Sequence, residues 1–508
     1  MTLFRTAGAS AAALAVSATA SFSLTAEDAW DRYQEYVDSF GQEITTESEE
    51  YSGGTLTLTG MVANYAPDED EFSAVAEIGT VTLTEEDDGS VSVSMPDSYD
   101  VTVSTVDDED ERTSIVVTVS QEDADITINE AGDDLRFDLA SPEISVVVDD
   151  LEGEDVPDEF RLELVAEDIT ASALNGSGEK TTSTSTFTAA ALRGTMSGDD
   201  EEKGEIESSF SMTGVSGTTA GTGDFARFAD EEMASDALAS GLSMNFDAAY
   251  DTSTFSVVTT GGESDDSDIS GASGPGSIAF GLSGDGISYG IDYTDVDVDV
   301  AGEGVMGGSI SVSLAEAGID FLMPVLQSEE AQPFDFALRL GGLELDESLW
   351  SMFDPAGILP RDPANLVVDL SGMGMWMQDI FAEPAESEDM AENEDPGRVE
   401  SLEVNELVVS ALGAELLGSG TFTFDNSEED AFAAMPIPEG TMNLAMTGGN
   451  ALLDRLVELG VLPSDQAMMA RMMSGMIAKP GDTPDSLISE ITITEDGQVL
   501  ANGSPLPF

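Results

Sequence analysis

From Ile44 to about Val300 the chain repeats a single texture: short runs in which polar and apolar residues alternate, separated by acidic or Gly-containing turns. Thr55-Leu56-Thr57-Leu58-Thr59, Val91-Ser92-Val93-Ser94 and Leu135-Arg136-Phe137-Asp138-Leu139 are typical runs, and Glu85-Glu86-Asp87-Asp88-Gly89 is a typical turn. A period of two places successive side chains on opposite faces, so each run is a strand that is apolar on one side and Thr, Ser, Asp or Glu on the other. Strands recurring about every ten residues mark an antiparallel meander. A one-sided sheet must shelter its apolar face under a second sheet, helices or a ligand. The pattern therefore predicts a mainly β fold: one or more long antiparallel meander sheets, curved or sandwich-like.

A few helices interrupt this texture. Thr25-Ala26-Glu27-Asp28 is a capping-box variant, and Trp30, Tyr33, Val37 and Phe40 follow on one helical face before Gly41. A second short helix is expected near 348–354. Two more lie within 451–478, where Asn450 is read as the cap of a helix from Ala451 to Leu459, and Gly460 as its C′ residue. Ser464 is read as the cap of the next, in which Met468, Met469, Met472, Met473 and Met476 recur at helical spacing. Methionine serves both as an adaptable core filler and at adaptable binding surfaces. The core reading is favoured here, with an apolar-ligand or partner surface as the alternative. Asp496-Gly497 predicts a closing hairpin. Ala171–Thr186 reads as a polar loop, Gly261–Gly276 as a Gly/Ser/Asp linker and Ala382–Gly397 as an acidic loop. Strand texture resumes after each, so residues 24–508 are taken as one elongated domain. An echo between Gly357–Ala364 and Gly460–Ala467 allows two related halves, about 24–300 and 301–508.

The first residues read as a secretory signal: Arg5, an Ala-rich apolar run, and small residues for cleavage after Ala20 or Ser23. Signal peptide 1–23 and a periplasmic address follow as expectations. No later stretch reaches membrane-spanning length. Against 15 Lys and Arg stand 103 Asp and Glu, a net charge of −88. Repulsion on this scale suits a saline medium that screens it. It excludes nucleic acid as a partner, since too little positive charge exists to neutralise phosphates. The chain has no Cys and no His. That removes disulfide staples, Ser-His-Asp and Cys-His catalysis, and nearly all zinc and transition-metal sites.

The remaining candidates for chemistry are sparse. Asp295, Asp297 and Asp299 alternate along one strand and are the candidate metal ligands for calcium. They lack the Gly and Glu positions of a calcium loop, and a solvated acidic face is the competing reading. Paired carboxylates hydrolyse glycosidic bonds without histidine, but no pair stands out among so many. Gly178-Glu179-Lys180-Thr181 lacks the Gly-Lys junction of a phosphate loop and reads as a turn. Trp350, Met352 and Phe353, with Met373, Met375, Trp376 and Met377, form an aromatic and Met-rich patch. Core packing is the first reading of that patch, and an apolar ligand or partner surface the second. No cofactor is expected.

Three stretches resemble a known family. They are the opening through Ala29-Trp30; Leu349-Trp350-Ser351-Met352-Phe353-Asp354-Pro355 with Leu359-Pro360-Arg361-Asp362-Pro363-Ala364; and Gly460–Ala467 with the ending from Asp496 to Leu506. These are similar to the domain of unknown function 2125, a family of exported alphaproteobacterial proteins. The family has no agreed activity, so the resemblance implies export and transfers no functional residue. Its organisation is loosely similar to AsmA-like envelope proteins, whose long sheets are associated with lipid handling. The expectation is a non-enzymatic envelope protein binding lipid or an envelope partner through a β-sheet groove. The alternative is a calcium-stabilised or carboxylate-dependent surface protein or glycoside hydrolase.

Overall fold

The structure is a computed structural model that describes residues 24–38, 42–68, 72–106, 112–149, 158–176, 180–200, 204–228, 233–261, 266–305, 307–377, 397–426 and 438–506. Within them, 27 strands join one sheet, and every strand pairing is antiparallel. The order is a meander from the edge run 42–52 to the closing strands at 499–505. With about 20 strand positions at roughly 4.8 Å each, the ribbon is on the order of 90 Å long. The mainly β architecture read from alternation is the observed one.

Six helices are appended to it: α1 (Ala26–Asp38), α2 (Phe225–Phe228), α3 (Ala234–Ala239), α4 (Glu347–Phe353), α5 (Gly449–Glu458) and α6 (Ser464–Ile477). Two expected caps are corrected. Gly448, at φ +73°, precedes α5, and the acceptor at its start is the Asp485 carboxylate, which takes the amides of Asn450 (3.1 Å) and Ala451 (2.9 Å). Pro463, not Ser464, is the residue before α6. Gly460 does close α5 with φ +76°. The signal stretch, Phe40, Gly41 and most of the 382–397 loop lie outside the described residues.

Two sequence readings fail for a shared reason. Residues 171–176 and 181–186 are the ends of two long strands, Asp158–Gly176 and Thr181–Asp200, and 267–273 within the expected linker is a strand too. Their Ser, Thr, Ala and Gly content suggests loops in isolation. In the sheet, hydroxyls bond across strands, as Ser185 with Thr219 and Thr170 with Thr188, and rows of small residues pack beside long ones.

A crease crosses the sheet. Pro142 lies across from Asp168, Asp168 from Ala190, Ala190 from Gly214, Gly214 from Asp251, and Asp251 from Pro275. The line continues through Gly274 and Asp295, then Ala315, then Gly342. Asp168 (φ +48°), Gly214 (+61°), Asp295 (+49°) and Gly342 (+66°) adopt the left-handed conformation. At each step the strand carries one residue beyond strict alternation. Before Asp295 the apolar positions are Ile287, Tyr289, Ile291 and Tyr293; after it they are Val296, Val298 and Val300. The next strand makes the compensating shift at Ala315, so Ile291 still faces Ile319 and Val298 still faces Val312. The register is unchanged, and the apolar side chains remain neighbours on both sides of the line. The same slip near Gly60 sends both Leu58 and Met61 into one core cluster. Residues of this kind bend a strand and sharpen its twist, so aligned across the sheet they fold it along one line.

Candidate apolar groove

Among the described residues, two clusters of fully buried apolar residues lie where helices meet the sheet. Beneath α1, Ala26, Ala29 and Trp30 meet Leu56, Leu58, Val81, Leu83, Val91, Ile128 and Leu135. The Trp30 indole N–H donates to Glu49 Oε1 at 3.2 Å. Beside α3, Ala237, Leu238 and Leu242 pack with Leu282 and Val325. Along the later strands the apolar side chains stay half-buried: Val296, Val298 and Val300, and likewise Phe336, Leu338 and Leu340. Phe255, Ile278, Tyr293 and Met323 are more exposed still. Among the described residues, the sheet therefore leaves its apolar face half-exposed along these strands.

On this face lies a cavity of about 540 Å³ lined by Phe321, Met323, Pro324, Phe334, Phe336, Gly374, Trp376, Gly397 and Val399 among others. Trp376 ends the strand Ala364–Trp376, and its indole N–H donates to Pro324 O at 2.7 Å. The Gln327 side chain holds Met377 O, and Ser328 N donates to Trp376 O at 3.0 Å, so the ring is anchored from both flanks. Glycines make room for the aromatic rings. A Cβ on Gly372 would overlap the Phe334 ring, and one on Gly397 would lie 3.1 Å from Trp376 Cε3. Rings held flat against backbone give the cavity an apolar floor. A larger depression of about 720 Å³ near the C-terminus is bordered by Glu406, Asn443, Glu490 and Asn502 as well as apolar residues, which suits an extended apolar ligand less well.

The other candidates are dispersed. Asp295 stands on the crease with its carboxylate beside Gly274, whereas Asp299 accepts the Ser311 hydroxyl four pairs further on. Among the described residues no three acidic side chains converge to hold a metal ion. The aromatic and Met-rich patch is two separate places. Trp350 is buried in α4 under the Arg361 guanidinium, 5.3 Å from the ring centre, while Trp376 lines the cavity. The Met stripe is not core filler: Met468, Met469, Met472, Met473 and Met476 are 57–68 % exposed, because α6 turns Ala467, Ala470, Arg471 and Ser474 inward.

Two carboxylates do structural work that the sequence reading missed. Asp354 is fully inaccessible and accepts the amides of Ile358 (2.9 Å) and Leu359 (2.8 Å). Desolvation works to raise its pKa, but those amides and the nearby Arg361 charge outweigh it and hold it below the ordinary carboxylate range. At Asp485 desolvation is likewise outweighed, by Ala451 N–H, the Asn450 amides and Arg471. Among the described residues, Asp88, Asp346, Asp354 and Asp485 are all shifted downward, which keeps them ionised and suits their role as hydrogen-bond acceptors. The Asp-Pro spacing after α4, in Asp354-Pro355-Ala356-Gly357, was the available signal for this loop anchor.

A family model described as an uncharacterized protein conserved in bacteria (DUF2125) matches residues 257–507. No curated protein and no solved structure matches the chain.

Proposed function

Since the chain belongs through residues 257–507 to the DUF2125 family of uncharacterized bacterial proteins, its role has to be argued from its own surface, and we propose that it is an exported, non-enzymatic envelope protein that holds an apolar chain of the lipid class along its sheet. The observation that carries this reading is the half-buried apolar face of the later strands, beyond the α3 cover, with the apolar Trp376 cavity on it. Burying apolar surface stabilises by about 25 cal/mol per Å². A long uncovered apolar strip thus favours an occupant that is itself long and apolar. The signal-like start, residues 1–23, and the acidic coat support a periplasmic setting in a saline medium.

The test is native mass spectrometry of the full chain purified from its own envelope in high salt. An acyl lipid that co-purifies and is lost in Trp376→Ala is the expected result. Apo protein only, together with no binding of a neutral acyl probe, would end the lipid reading.

A further inference from the structure

Independently of what the groove holds, we infer that the outer face of α6 is a methionine-oxidation site, an array of thioethers that takes oxygen from neutral two-electron oxidants such as hypochlorous acid while the fold stays intact. Five of the chain's 22 methionines fall in this 14-residue helix, and they are the most exposed methionines among the described residues. Met352 comes next, at 46 %. Met468, Met472 and Met476 follow one another at four-residue steps, with Met469 and Met473 in the neighbouring row, so all five share one face. The chain has no Cys, so no thiolate competes with these sulfurs for an oxidant.

The helix is held by groups other than sulfur. Ala467 is buried, and Arg471 reaches α5 through Asn450 O (3.1 Å), Asn450 Oδ1 (3.2 Å) and Asp454 (2.6 Å). At its far end, Ile477 O accepts the Asn502 side-chain amide (2.9 Å) and the Ser489 hydroxyl. Oxidation of the outer face leaves each of these ties in place. A thioether already in water gives up no packing when it becomes a polar sulfoxide. Met61, buried in the α1 cluster, and Met442, standing over Gly418 and Gly420, are the contrast, because a sulfoxide oxygen there would be enclosed among apolar atoms.

Charge selects the oxidant. A net charge of −88 holds anionic oxidants off, whereas neutral ones approach freely, and within α6 Asp465 and Arg471 cancel. In the reaction the methionine sulfur gives up two electrons and gains the oxygen atom. The chlorine of hypochlorous acid takes those electrons and leaves as chloride, and the proton goes to solvent. Methionine-sulfoxide reductases reverse the change with a dithiol as reductant, one enzyme for each sulfoxide epimer. The face thus alternates between apolar and polar on an unchanged helix.

The test is stepwise addition of hypochlorous acid to the full chain in about 1 M NaCl, with oxygen uptake located by peptide mass spectrometry. Uptake should begin at Met468, Met469, Met472, Met473 and Met476, ahead of Met352 and far ahead of Met61 and Met442. Once these five are oxidised, the melting temperature should have moved by less than about 2 °C. Hydrogen exchange of Ala467 and Arg471 should be unchanged. Both reductases with dithiothreitol should return the starting mass. Exchanging all five for Leu should delete this first phase, and Met472→Leu alone, at an exposed position, should subtract one oxygen from it. Oxidation of Met61 or Met442 as early as the α6 residues would overturn the proposal. So would melting of α6 on oxidation, or sulfoxides that the reductases reach only in the unfolded chain.

Discussion

Gly214 stands directly across the sheet from Asp251, and a Cβ on the glycine would overlap the Asp251 carboxylate. Two constraints meet there. The glycine occupies φ +61°, and the aspartate amide donates to Thr213 O at 2.8 Å to continue the ladder. Gly214→Val therefore suffers both left-handed strain, about 1–2 kcal/mol for a side-chain-bearing residue, and a steric conflict. A loss of about 2–4 kcal/mol is expected in denaturant unfolding. Gly261→Asn, at φ +78° with open space around it, should stay within about 1 kcal/mol. Equal losses at the two sites would remove the special status of the crease.

The α1 cover holds the larger of the two buried apolar clusters among the described residues. Leu58 is completely buried beneath Trp30 and its neighbours. Leu58→Ala should cost about 2–5 kcal/mol and Trp30→Ala about 3–5 kcal/mol, read from urea midpoints at constant slope. The comparable Leu338→Ala on the open face should cost less, because Leu338 is only half-buried.

Acidification should loosen the loop after α4 and the start of α5. Asp354 and Asp485 have folded pKa values below their unfolded ones, so their contribution is complete above the unfolded carboxylate range and declines as pH falls through the folded values. Asp354→Asn should accordingly destabilise most near neutrality, and its difference from wild type should shrink in acid. Asp485→Ala removes the acceptor for two helix-start amides and should cost about 1 kcal/mol near neutral pH. Hydrogen exchange of Ile358, Leu359, Asn450 and Ala451 across the acid range is the direct measurement.

Salt should stabilise. Some cations are paired, as in Arg193–Glu167, Arg339–Asp320 and Arg361–Glu347, but 15 Lys and Arg cannot neutralise 103 Asp and Glu. Raising NaCl from about 0.01 M to about 1 M shortens the Debye length from about 30 Å to about 3 Å, and the melting temperature should rise by several degrees. A melting temperature that falls with NaCl would contradict the screening argument.

The period-two texture made the strands legible in the sequence, the Thr25 capping box and its helical face did so for the N-terminal helix, and Asp496-Gly497 marked the turn that Thr494 and Gln498 close. The phase slips were hidden, although Tyr293 and Val296 show one directly once the partner strand is known. An isolated strand gives no reason to count two residues, rather than one, between apolar positions. Ser- and Thr-rich segments such as 181–186 read as loop in isolation because their hydroxyl partners lie on other strands. The Met stripe of α6 has the same spacing whether it faces a core or water. Only the inward ties of Arg471 decide, and they depend on α5 being adjacent.

Since each strand from 134 to 345 carries its extra residue level with its neighbours', an up-and-down pair is a complete module. Removing one whole pair, such as 158–200, would bring matching edges together and shorten the ribbon by about 10 Å at unchanged cross-section. Removing one strand alone would reverse the chain's direction and leave no antiparallel partner. Groove length is therefore quantised in pairs of strands, and homologues of different size would differ in the capacity of the groove while keeping its profile.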